Sequence, residues 1–85
     1  MTLASQTVEQ VRAVLREQAR VPNVDALADD DDLFEAGLTS HASVDVLLAL
    51  EEELAVEFPD ELITRSTFSS IASISAALGT LVRDP

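Results

Sequence analysis

The sequence predicts an all-α domain: a small four-helix bundle with a short third helix and a long loop between helices 1 and 2. Three observations carry that prediction. Apolar residues recur at spacings of three and four in separate stretches, as one face of a helix requires. No stretch alternates apolar and polar residues as a half-buried strand does. Pro22, Gly37 and Pro59 punctuate the boundaries between the periodic segments. Eighty-five residues suit a single domain spanning 1–85, and 47% apolar residues are enough for a compact core.

In the first helix, over residues 7–20, Val8, Val11, Leu15 and Ala19 share one face. Thr7 and Gln10 have capping-box spacing at its start, and Pro22 with Asn23 ends it. Residues 21–39 make a connection longer than bundle loops usually are, a length that points to function. Leu33 and Phe34 are its only bulky neighbours in an acidic setting, so they are expected to turn inward and pin it. Gly37 supplies backbone freedom just before the second helix, which is expected over Ser40 to Phe58 with Pro59 as its stop. At about 100° per residue, Leu47, Leu50, Leu54 and Phe58 form a charge-free stripe that belongs to the core. Val44 and Leu48 lie a quarter-turn away and run into Glu51 and Glu52. They are read as a partly exposed recognition strip, with boundary core as the alternative. Residues 59–63 suggest the short third helix, with Pro59 at its first position. Ser69 or Ser70 caps a fourth helix whose face is Ile71, Ile74, Leu78 and Leu81. Gly79 weakens its last turn by about 1 kcal/mol relative to alanine.

Composition excludes much chemistry. There is no cysteine for a disulfide, thiolate metal site or nucleophile, and one histidine cannot make a paired-histidine metal site. Without lysine there is no Schiff base and no phosphate-loop lysine, and two glycines cannot build a nucleotide cradle. A net charge of −11 repels nucleic acid. The longest apolar run, Val46 to Leu50, is far short of a bilayer span, and no basic start leads into an apolar signal segment. The expectation is a cytoplasmic, monomeric protein that is not an enzyme and has no nucleic-acid or membrane partner. Thirteen of the 16 acids lie between Val21 and Thr64, where there is no arginine or lysine. That face serves solubility, or it steers partners with basic patches towards the chain.

Two candidate chemistries fail on spacing. Counting an EF-hand loop from Asp29 puts Leu33 at the fifth position, Phe34 where glycine is needed and Ser40 where glutamate is needed. Ser40 has no base for nucleophilic catalysis, because His41 is the adjacent residue and points about 100° away on a helix. Ser40 could still be modified by an enzyme bringing its own base. It follows Gly37 at a helix start, where free N–H groups and the dipole favour an attached phosphate. A plain N-cap serine is the alternative.

The run Asp32-Leu33-Phe34-Glu35-Ala36-Gly37-Leu38-Thr39-Ser40 resembles the D-x-L-F-E-x-G-x-x-S signature of acyl and peptidyl carrier proteins. Residues 46–54 and Glu57-Phe58-Pro59-Asp60 resemble that family's second helix and third-helix start. The likeness extends in pattern over residues 7–82 and is densest in motifs from 32 to 62. It implies that Ser40 carries 4′-phosphopantetheine, transferred from coenzyme A by a phosphopantetheinyl transferase, with cargo held as a thioester on the arm's thiol. The missing cysteine then makes sense, because the reactive sulfur belongs to the cofactor. Fatty-acid carriers commonly have aspartate before this serine and leucine after it, whereas this chain has Thr39 and His41. The resemblance thus leans towards stand-alone carriers that accept an amino acid from a synthetase-like ligase. Fatty-acid, polyketide or nonribosomal carriers, or an unmodified acidic helical adaptor, are the alternatives. The partner surface expected from this reading is Asp32, Glu35, Thr39, His41, Val44, Asp45, Leu48 and Glu51. Its partners are the transferase, a loading ligase with a basic docking surface and downstream acyl-transfer enzymes.

Overall fold

The computed structural model describes residues 3–19 and 21–81, and every regular element among them is helical. Helix α1 spans Leu3–Val14 and continues as a π-helical turn over Leu15–Ala19. It begins before the expected capping box. Thr7 lies a full turn inside and is buried, so Thr7 and Gln10 do not start the helix. Leu3, Ala4 and Gln6 are good helix formers and extend it towards the N-terminus. Arg20, the last residue of the expected helix, and Val82, the last of the family-like span, lie outside the described residues.

The long connection is ordered by contacts at both of its flanks. It contains a 3-10 turn at Val24–Ala26 and a short helix α2 at Leu33–Ala36. Arg12 of α1 donates to the carbonyls of Val24 at 2.6 Å and Leu27 at 2.9 Å, and to the Asp29 carboxylate at 2.7 Å. Arg16 pairs with exposed Asp25 and donates a hydrogen bond that holds its carboxyl below the usual carboxylate range. That small contribution is present at neutral pH and is lost as pH falls through the lowered value. At the other flank, Leu33 N–H donates to the Ser69 carbonyl and Ala72 N–H to the Asp29 carbonyl, each at 2.7 Å. Leu33 is fully buried as expected, while Phe34 is half-buried. Gly37 has φ 126°, and a Cβ there would meet Pro22 Cδ at 3.1 Å. The turn therefore excludes a side chain on two counts.

Helix α3 spans Ser40–Leu54, four residues shorter than the sequence suggested. It ends at Ala55 in the left-handed region, φ 54°, whose N–H donates to the Glu51 carbonyl. The Glu51 side chain accepts from Phe58 N–H at 2.8 Å and ties the exit segment down. A residue before proline disfavours helical backbone, so Phe58 could not have continued the helix into Pro59. Phe58 is buried all the same, by stacking at 5.7 Å against Phe68 rather than by helix phase. Val46, Leu47 and Leu50 are the buried α3 residues; Leu54 is only half-buried, so the core stripe is shifted towards Val46.

The short third helix is a single 3-10 turn, Asp60–Leu62, with Pro59 before it as an extended N-cap rather than at its first position. Helix α4 covers Ile71–Leu81 and buries Ile71, Ile74, Ala77 and Leu78, while Leu81 is half-buried. Ser70 is its cap: Ser73 N–H donates to Ser70 Oγ at 3.0 Å and Ser70 N–H to Ser73 Oγ at 3.1 Å, a reciprocal box. In the bundle, α1 packs mainly on α4, and the π turn packs on α3. Gly79 is exposed in α4, with nothing within 4 Å of the position a Cβ would take. Gly79→Ala should therefore stabilise the fold by about 1 kcal/mol in urea unfolding, since it loses only glycine's entropic disadvantage.

Candidate functional site

The site is built where α2, α3 and the segment after the 3-10 turn meet. Asp32 caps α2, its carboxylate accepting from Phe34 N–H at 2.9 Å and Glu35 N–H at 3.3 Å. Gly37 then reverses the chain and delivers Leu38 into the core. Thr39 is the N-cap of α3: its hydroxyl accepts from Ala42 N–H at 3.0 Å. The capping role that Ser40 might have filled is thus taken by its neighbour. Ser40 is the first residue of the helix, exposed, and its hydroxyl has no hydrogen-bond partner among the described residues. Ser43, the nearest other hydroxyl on α3, is half-buried and donates to the Ser40 carbonyl at 2.6 Å. One hydroxyl of the pair is free and the other is occupied.

Ser40 opens onto a groove of about 270 Å³ between α3 and residues 63–68. Val44, Leu47, Ile63 and Phe68 give it apolar walls, and Phe34 and Arg65 close one side. The Arg65 guanidinium lies 4.0 Å from the Phe34 ring centroid. Neither Arg65 nor Ile63 is among the expected site residues, Ile63 being expected only in the short third helix. Only the fold brings the two to the groove of Ser40.

The remaining predicted surface residues are separated by the structure into two kinds. His41, Asp45 and Leu48 recur at four and three along α3, so they share one face, and all three are exposed. Val44 is 50% and Leu48 56% exposed, as the recognition-strip reading expected. Glu35 is exposed on α2. Thr39, Asp32 and Glu51, by contrast, each have side-chain hydrogen bonds that hold local structure. Glu51 is half-buried at the end of α3.

This arrangement defines a small helical domain that presents an exposed serine hydroxyl, without a partner among the described residues, at a helix start bordered by acidic and apolar surface. Residues 9–78 match the family model described as "Phosphopantetheine attachment site". The chain belongs to that family and is a carrier protein. It is 45% identical over 65 residues to an aminoacyl carrier protein of Agrobacterium fabrum, covering 75% of this chain and 78% of that one. A chain in the crystal structure of an engineered Bradyrhizobium japonicum glycine:[carrier protein] ligase, complexed with a carrier protein from Agrobacterium tumefaciens and ATP, superposes with TM-score 0.83. That match has 39% identity and covers 87% of this chain and 97% of the other. A solution structure from Agrobacterium tumefaciens matches with TM-score 0.70 and 39% identity over 86% of this chain and 89% of the other. The helical bundle expected from the sequence and the carrier-family resemblance both stand. No helix among the described residues is long and apolar enough to cross a membrane.

Proposed function

We propose that this protein carries an amino acid on a 4′-phosphopantetheine arm attached to Ser40, loaded by an amino acid:carrier protein ligase. The observation that carries the reading is the division of labour between Thr39 and Ser40: capping is done by one, and the other hydroxyl stands exposed without a partner. The residues fit the group, since an open groove adjoins the hydroxyl and the start of α3 favours a phosphate. In attachment, Ser40 Oγ forms a phosphodiester bond while a phosphoanhydride P–O bond of coenzyme A breaks and its nucleotide part leaves. The Ser40 proton passes to a base of the transferase, because His41 is adjacent on the helix and faces away. The arm, once attached, supplies the terminal thiol on which the amino acid travels, a sulfur this chain lacks. Likeness to an aminoacyl carrier and to a structure containing a glycine:[carrier protein] ligase supports an amino acid as cargo over a fatty acyl chain.

Docking is the work of the α3 face carrying His41, Asp45 and Leu48, with Val44 and Glu35 beside it. A net charge of −11 steers a basic ligase surface towards it, and the apolar side chains hold it there. The decisive experiment is to convert the protein with coenzyme A and a promiscuous transferase, then supply ATP, a ligase and single amino acids, reading intact mass. Gain of an amino acid in a hydroxylamine-labile linkage is the expected result; an arm-bearing protein that gains no amino acid would belong to another carrier class. Asp45→Lys should slow ligase association about tenfold at low salt, with the difference shrinking as salt rises. Glu51 is unsuited to that test, since its reversal would release the Phe58 N–H.

A further inference from the structure

Among the described arginines, Arg65 alone has no carboxylate partner. Arg12 is paired with Asp29 and Arg16 with Asp25, both at the α1 side of the long loop. In a chain of 16 acids, a cation left without one is chemically out of place. Its guanidinium carbon lies instead over the Phe34 ring, 4.0 Å from the centroid, on the wall of the groove that Ser40 shares. The other groove residues, among them Ser43, Val44, Ile63 and Thr64, bring no charge. The groove therefore has one fixed cation, apolar walls and a modifiable hydroxyl at its rim. A phosphodiester formed at that hydroxyl keeps one negative charge at all physiological pH values. A guanidinium meets such a group with two parallel N–H donors, a geometry an ammonium cannot offer.

We infer that Arg65 pairs with the phosphodiester at Ser40 and turns the first part of the arm along the groove over Val44 and Ile63, so that the arm is oriented before any enzyme docks. This rests on Ser40 being the attachment point. Arg65 is a positioning residue here, acting on the arm's phosphate and not on the cargo. Contact with the Phe34 ring already holds the guanidinium at the groove wall, so little of its freedom is lost on pairing.

The test uses wild type, Arg65→Gln and Arg65→Lys, each measured before and after conversion with coenzyme A and a promiscuous transferase, with intact mass establishing conversion. In the wild type, conversion should raise Tm by about 2–5 °C at low salt, and the gain should fall in 0.5 M NaCl. The Phe34 ring protons should shift on conversion. Arg65→Gln should lose both effects, and Arg65→Lys should keep a salt-sensitive part of the Tm gain, because the charge remains without the planar fork. Conversion verified by mass but with equal Tm gains and equal Phe34 shifts in wild type and Arg65→Gln overturns the role of Arg65 while leaving Ser40 as the site. A wild type that gains no mass overturns both.

Discussion

Ser40→Ala should abolish phosphopantetheine transfer and leave stability within about 0.5 kcal/mol of the wild type. Thr39→Ala should do the opposite. It removes the acceptor for Ala42 N–H and should cost about 0.5–2 kcal/mol, yet still gain one arm by mass. The crossing follows from geometry: two adjacent hydroxyls, one bonded into the first turn of α3 and one exposed without a partner. Intact mass and urea melts on the two variants read both halves. Modification persisting in Ser40→Ala would assign the site elsewhere, Ser43 being the nearest other hydroxyl on α3. A large stability loss in Ser40→Ala would make it a structural residue. Only a wild type that gains no arm from any transferase would favour the unmodified adaptor reading.

Leu50→Ala should cost about 2–5 kcal/mol, because Leu50 is fully buried and its truncation leaves a cavity. Domains of this size have only about 5–15 kcal/mol in total, so Tm should fall by at least about 10 °C. Leu48→Ala, two residues earlier on the same helix, should cost less than about 1 kcal/mol, since Leu48 is 56% exposed. Its loss should appear instead as weaker ligase binding, where an apolar anchor is removed. Leu54→Ala should fall between the two in stability, being half-buried near the end of α3. Comparable melts for Leu48→Ala and Leu50→Ala would mean that the exposed strip is packed in solution and is not a docking surface.

Helix phase explains why so much of this is legible in the sequence. The separation of Val44 and Leu48 from Leu47 and Leu50 needs only 3.6 residues per turn and the charges that follow each stripe. Ser40 was legible for a different reason, the motif from Asp32 onwards, in which Gly37 must reverse the chain before a helix can start. These are local properties, and local sequence is sufficient to specify them. What the tertiary structure alone decided lies in pairings across chain separation. Arg12 of α1 donates to the carbonyls of Val24 and Leu27, twelve and fifteen residues away, and so orders the long loop. Glu51, expected on the partner surface, is taken up by Phe58 N–H seven residues on, beyond the left-handed Ala55 at which α3 ends. Phe58 is buried by Phe68 and not by its place on a helical stripe. Arg65 and Ile63 reach the Ser40 groove only because residues 63–68 fold back across α3. Periodicity reports which way a side chain points from its own helix; which partner it meets depends on how distant segments pack, and no window of sequence contains that.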